Sequence, residues 1–91
     1  MLQTISIIVS GKVQGVFFRQ GTREKAGELG ITGYVQNKPD GTVFILATGT
    51  TNQLDAFTDW CRQGPPRAGV SGLQTAKEEL QLFDSFSIRR Y

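Results

Sequence analysis

The hydrophobic residues of this chain switch between a spacing of two and a spacing near 3.6 in one fixed order, and that order limits the available folds more than any other feature. Ile5, Ile7 and Val9 share one face of the run Thr4 to Ser10, which reads as a first strand. Phe18, Thr22, Ala26 and Leu29 then fall at helical spacing, with Gly30 as a C-terminal cap, predicting a helix over about 19–29. Ile31 to Gln36 reads as a second strand, and Lys38-Pro39-Asp40-Gly41 as a tight reversal. Thr42 to Thr48 is the returning strand, and its long apolar run predicts a central one. For the second helix, Thr51 or Asn52 can serve as cap. Leu54, Phe57 and Cys61 line one face, Trp60 borders that stripe, and Gly64-Pro65-Pro66 supplies the stop. Val70 to about Lys77 reads as a fourth strand and Phe86 to Arg89 as a short final one.

Strand, helix, strand, strand, helix, strand is the βαββαβ order of a ferredoxin-like α/β sandwich, an α+β fold. Two helices are expected on one face of an antiparallel sheet of four to five strands, in a single domain spanning residues 1–91. Met1 just before the first strand and Tyr91 just after the last fit a self-contained unit. A right-handed strand-helix-strand unit sends strands one and two in the same direction. The loop leaving strand one and the end of strand two therefore meet at the same sheet edge.

Composition removes whole classes of chemistry. The 91 residues include no histidine and one cysteine, Cys61, which excludes a His-based triad, a Cys-His pair and a zinc site of the usual ligands. No metal and no cofactor is expected. A net charge of +2, with basic residues clustered only at Arg89-Arg90, gives little support to nucleic-acid binding. No run approaches a membrane span, and Met1-Leu2-Gln3 lacks the basic start and apolar core of a secretory signal. The expected setting is the cytoplasm, which a single unpaired cysteine fits. The expected state is a monomer.

The loop Gly11-Lys12-Val13-Gln14-Gly15-Val16-Phe17-Phe18-Arg19 joins the first strand to the first helix. Backbone amides in such a loop can converge on an anion while the helix N-terminus adds favourable potential. It can equally be a plain structural turn. Arg19 can grip two phosphate oxygens or stand as a solvated charge. A cation in a first helical turn opposes the helix dipole unless an anion meets it. Asn37 is a common turn residue, yet the topology places it beside the loop, where its amide could hold a water. Phe17 and Phe18, flanking the helix start, read as core rather than as stacking groups.

Gly11 to Arg19 resembles the acylphosphatase signature Gly-x-Val-Gln-Gly-Val-x-Phe-Arg without a mismatch. Gly33-Tyr34-Val35-Gln36-Asn37, followed by Gly41-Thr42-Val43 and Gly49, is similar to that family's second signature. Gly64-Pro65-Pro66-Arg67-Ala68-Gly69-Val70, with Phe86 and Ile88, extends the resemblance over nearly the whole chain. Tyr34 stands where many relatives have Trp, and Phe44 where an acidic residue is frequent.

The resemblance implies hydrolysis of acyl phosphates, small-molecule substrates, to a carboxylate and inorganic phosphate. It assigns Arg19 and Asn37 as catalytic, the first binding phosphate and the second orienting the attacking water. Backbone groups of Gln14, Gly15, Val16, Phe17 and Phe18 would complete the cradle. A competing reading is a non-enzymatic ferredoxin-like module that binds a small anion, RNA or a partner protein. A third makes the chain an acylphosphatase-like piece of a larger protein.

Overall fold

The computed structural model describes residues 1–90, and Tyr91 lies outside the described residues. Seven elements follow in order: β1 (Gln3–Lys12), α1 (Phe18–Leu29), β2 (Thr32–Asn37), β3 (Val43–Gly49), α2 (Thr51–Gln63), β4 (Gly69–Glu78) and β5 (Phe86–Arg89). The strands form one sheet in the order β4-β1-β3-β2-β5. β3 is central as its apolar run predicts, pairing antiparallel with both β1 and β2. β1 and β2 therefore run the same way, and both end at one sheet edge.

α1 packs on β2 and β5, α2 packs on β1, β3 and β4, and the two helices touch each other. Between them and the sheet, Ile7, Val9, Val35, Val43 and Ile45 meet Phe18, Ala26, Leu54 and Phe57, all buried. The helical stripe is thus the buried stripe: Phe18, Thr22 and Ala26 on α1, and Leu54, Phe57 and Cys61 on α2. Burial pushes the Cys61 thiol up to about 12, so the group stays protonated and acts as a small core residue.

Its five strands fall within the expected four to five, and the sheet differs from the expected antiparallel one only in being mixed, because β5 pairs parallel with β2. The cause is the crossing segment before it. β4 runs antiparallel to β1 and finishes with Glu78 opposite Thr4, at the end away from the Gly11–Arg19 loop. Residues 79–85 then cross the sheet's open face. Gln81 donates its backbone N–H to Thr4 Oγ1 at 2.9 Å, and its carbonyl accepts from Thr48 Oγ1 at 2.7 Å. The crossing brings the chain beside Gly33, the partner of Phe86, so β5 can only run upward alongside β2.

On that open face, Tyr34 and Phe44 sit side by side, with ring centroids 6.1 Å apart. An aromatic pair on inner strands was not legible in the sequence. The Arg89 guanidinium lies 3.8 Å from the Tyr34 centroid and the Lys38 ammonium 5.2 Å from that of Phe44, so the chain's own cations already stack there.

The N-cap of α2 is Thr50, ahead of both expected candidates, Thr51 and Asn52. Thr50 Oγ1 accepts from the Gln53 amide at 3.2 Å while Gln53 Oε1 accepts from the Thr50 amide at 2.8 Å. That reciprocal pair satisfies two orphan donors at once, an advantage neither Thr51 nor Asn52 offers. Thr50→Ala is expected to cost about 1 kcal/mol in a denaturant melt.

Candidate active site

The site grows from an irregularity in β1. Its register with β4 shifts between Ser10 and Gly11, and Gly11 adopts φ +114°, turning the strand out of the sheet into the loop. Four residues later Gly15 adopts φ +74°, and a Cβ added there would meet nothing within 4 Å. Glycine at 15 is therefore needed for its backbone conformation rather than for room.

Phe17 is the one non-glycine among the described residues with positive φ, at 63°. This left-handed turn separates the two phenylalanines expected together in the core: Phe18 is 1% exposed and Phe17 is 67% exposed. Phe18 fills the core beneath Trp60, centroids 5.8 Å apart. A bulky left-handed residue costs on the order of 1–3 kcal/mol, and such strain concentrates at functional positions.

Phe17 is also the N-cap of α1, and it has no side-chain cap hydrogen bond. No acidic residue stands in the first turn. The contrast with the double cap of α2 is physical: α2 satisfies its own first amides, whereas α1 presents its positive end without a capping oxygen. Arg19 adds a full positive charge to that same turn.

A cavity of about 330 Å³ opens at this point. Gly15, Phe17, Phe18, Arg19 and Asn37 all line it. Gln14 and Val16 do not: Val16 is buried in the core, and the Gln14 side chain turns toward the β2–β3 turn. Asn37 is the last residue of β2, half-buried, with its backbone in register with Val43. Its side chain is thus free of ladder duty while its Cα is fixed. Just beyond it, Asp40 accepts from the Thr42 hydroxyl at 2.6 Å and the Thr42 amide at 3.0 Å, bonds that hold its carboxyl below the usual value.

Val13 of the same loop also lines the cavity, as do Gln20, Ile88 and Arg90, which the sequence reading does not place there. Ile88 and Arg90 arrive because β5 runs parallel to β2 and ends at the same edge. The lining carries two cations, Arg19 and Arg90, and no carboxylate. Uncapped amides, two guanidiniums and a neutral amide favour an anion and offer a water both a donor and an acceptor.

Fold and site together define a class: a ferredoxin-like sandwich whose first loop and uncapped helix start face a strand-end asparagine at one sheet edge. The Acylphosphatase family model matches residues 5–88. An acylphosphatase of Archaeoglobus fulgidus is 49% identical over 84 residues, covering 92% of this chain and 94% of that protein. One from Methylococcus capsulatus is 47% identical over 90 residues, covering 98% of each. The structure of an acylphosphatase from Coxiella burnetii superposes with a TM-score of 0.94 at 40% identity, over 97% of this chain and 93% of that one. The chain belongs to the acylphosphatase family.

Proposed function

We propose that the protein hydrolyses acyl phosphates to a carboxylate and inorganic phosphate, with Arg19 and the loop amides of residues 14–18 on the phosphoryl oxygens and Asn37 on the attacking water. Family membership supports the reaction. The observation that carries the assignment of the site is the uncapped start of α1, with Arg19 in its first turn and Asn37 across the same cavity.

Phosphoryl transfer asks a protein chiefly for in-line positioning and for donors aimed at the equatorial oxygens. Arg19 and the first-turn amides supply the donors, already oriented by the fold. Asn37 accepts from the water through its carbonyl and holds it in line with the bond that breaks. The leaving group is a carboxylate, a weak base that departs without a proton, and the proton of the attacking water passes to an oxygen of the phosphoryl group itself, so a lining with no histidine, aspartate or glutamate suffices. Each group given a role here comes from a single chain, which supports a monomer. A cytoplasmic setting fits the protonated, buried Cys61.

Positive charge at the phosphate comes from guanidinium, and among the described residues no three His, Cys, Asp or Glu gather as a metal ligand set. Hydrolysis of benzoyl phosphate is therefore expected to run at an unchanged rate in excess EDTA. Loss of the rate with EDTA and its return with added magnesium would overturn the metal-free mechanism.

A further inference from the structure

The Gln14 side chain is absent from the cavity wall, although it sits in the middle of the cradle loop. It donates from Nε2 to the Lys38 carbonyl at 2.8 Å and to the Thr42 carbonyl at 2.9 Å. Both side-chain amide hydrogens are thereby used. The reverse orientation would point the amide oxygen at two carbonyls, so the side chain is fixed in one sense.

The location of those two carbonyls gives the contact its meaning. Asn37 pairs with Val43, and Lys38 and Thr42 are the next residues inward on the two arms of the turn. Lys38 N–H donates to the Thr42 carbonyl at 2.9 Å, and Gly41 N–H to the Lys38 carbonyl at 3.1 Å. Gln14 thus fastens the cradle loop to both arms of the turn, one residue beyond Asn37. No other side-chain hydrogen bond of the described structure joins the 13–19 loop to the 38–42 turn.

We infer that Gln14 is a positioning residue, which fixes the water-holding Asn37 at a set distance and angle from the phosphate cradle. The inference rests on the hydrolytic reading above. In-line attack is sensitive to placement: a displacement of about 1 Å can cost about a hundredfold in rate. Phosphate binding itself depends on Arg19 and the loop amides, which Gln14 touches only through its own backbone. Removing the side-chain donors should therefore lower kcat while leaving affinity for phosphate in place.

The test is steady-state hydrolysis of benzoyl phosphate, with inorganic phosphate as competitive inhibitor, by wild type, Gln14→Met and Gln14→Glu. A melting curve accompanies each. Gln14→Met keeps the length and loses both donors, so kcat should fall at least about tenfold with the phosphate Ki within about twofold of wild type. Gln14→Glu points a carboxylate at two carbonyls near neutral pH and regains one donor when protonated. Its kcat relative to wild type should rise severalfold between about pH 7 and pH 4, the range over which an ordinary Glu takes up most of its proton.

A Gln14→Met kcat within twofold of wild type overturns the inference, as does a parallel change in kcat and phosphate Ki. A pH-independent ratio for Gln14→Glu overturns it as well, and decides the matter alone should Gln14→Met fail to fold. A wild type inert toward benzoyl phosphate sinks the hydrolytic reading instead. An active wild type matched by its Gln14 variants sinks only the positioning role.

Discussion

Arg19→Ala is expected to reduce hydrolysis of benzoyl phosphate by at least about 10³-fold, the scale on which a phosphoryl-stabilising arginine acts. Inhibition by inorganic phosphate should weaken with it, by on the order of a hundredfold, since charge-assisted hydrogen bonds contribute up to about 3 kcal/mol each. Stability should move the other way or not at all. Arg19 is half-buried in the first turn of a helix that carries no capping oxygen and no acidic neighbour, so in the free protein its charge opposes the dipole. Removing it relieves that opposition, and the melting temperature should be unchanged or slightly higher.

Arg19→Lys separates charge from geometry. A lysine restores the positive charge but not the paired donors of a guanidinium. Partial recovery of phosphate affinity with poor recovery of kcat is the expected pattern. Full activity in Arg19→Ala would remove the arginine from the mechanism.

The scaffold was legible wherever hydrophobic spacing reports burial directly. Phe18, Thr22 and Ala26, and Leu54, Phe57 and Cys61, are the inner stripes that their spacing predicts. The meeting of the loop with the end of β2 followed from the handedness of the first crossover. What escaped depends on non-local contacts or on backbone conformation. Nothing in two adjacent phenylalanines says that the first takes a left-handed φ and leaves the core. The parallel β5 is set by residues 79–85, anchored on the hydroxyls of Thr4 and Thr48 some thirty and more positions away in sequence. Without that anchor, Ile88 and Arg90 had no assigned place, and so the cavity's second cation was not foreseen. The cap at Thr50 is a different kind of miss. Thr50-x-x-Gln53 is a local capping signature, and the sequence already contained it.

Asn37→Ala is expected to lower kcat by about 10² to 10³, because turnover without the amide depends on a water that is no longer held in line. The phosphate Ki should stay within about threefold of wild type, which distinguishes this variant from Arg19→Ala. The fold should survive. Asn37 contributes backbone to the β2–β3 ladder opposite Val43, none of the side-chain hydrogen bonds described within the protein is made by its amide, and alanine keeps the backbone pairing. Asn37→Asp sharpens the test because shape is retained while charge changes. A carboxylate can still accept from water, but it loses the donor and places a negative charge beside the phosphate. Asn37→Asp should therefore lose both kcat and phosphate affinity, Asn37→Ala only kcat. Equal phosphate affinity in the two variants would mean that residue 37 lies too far from the cradle to orient the nucleophile.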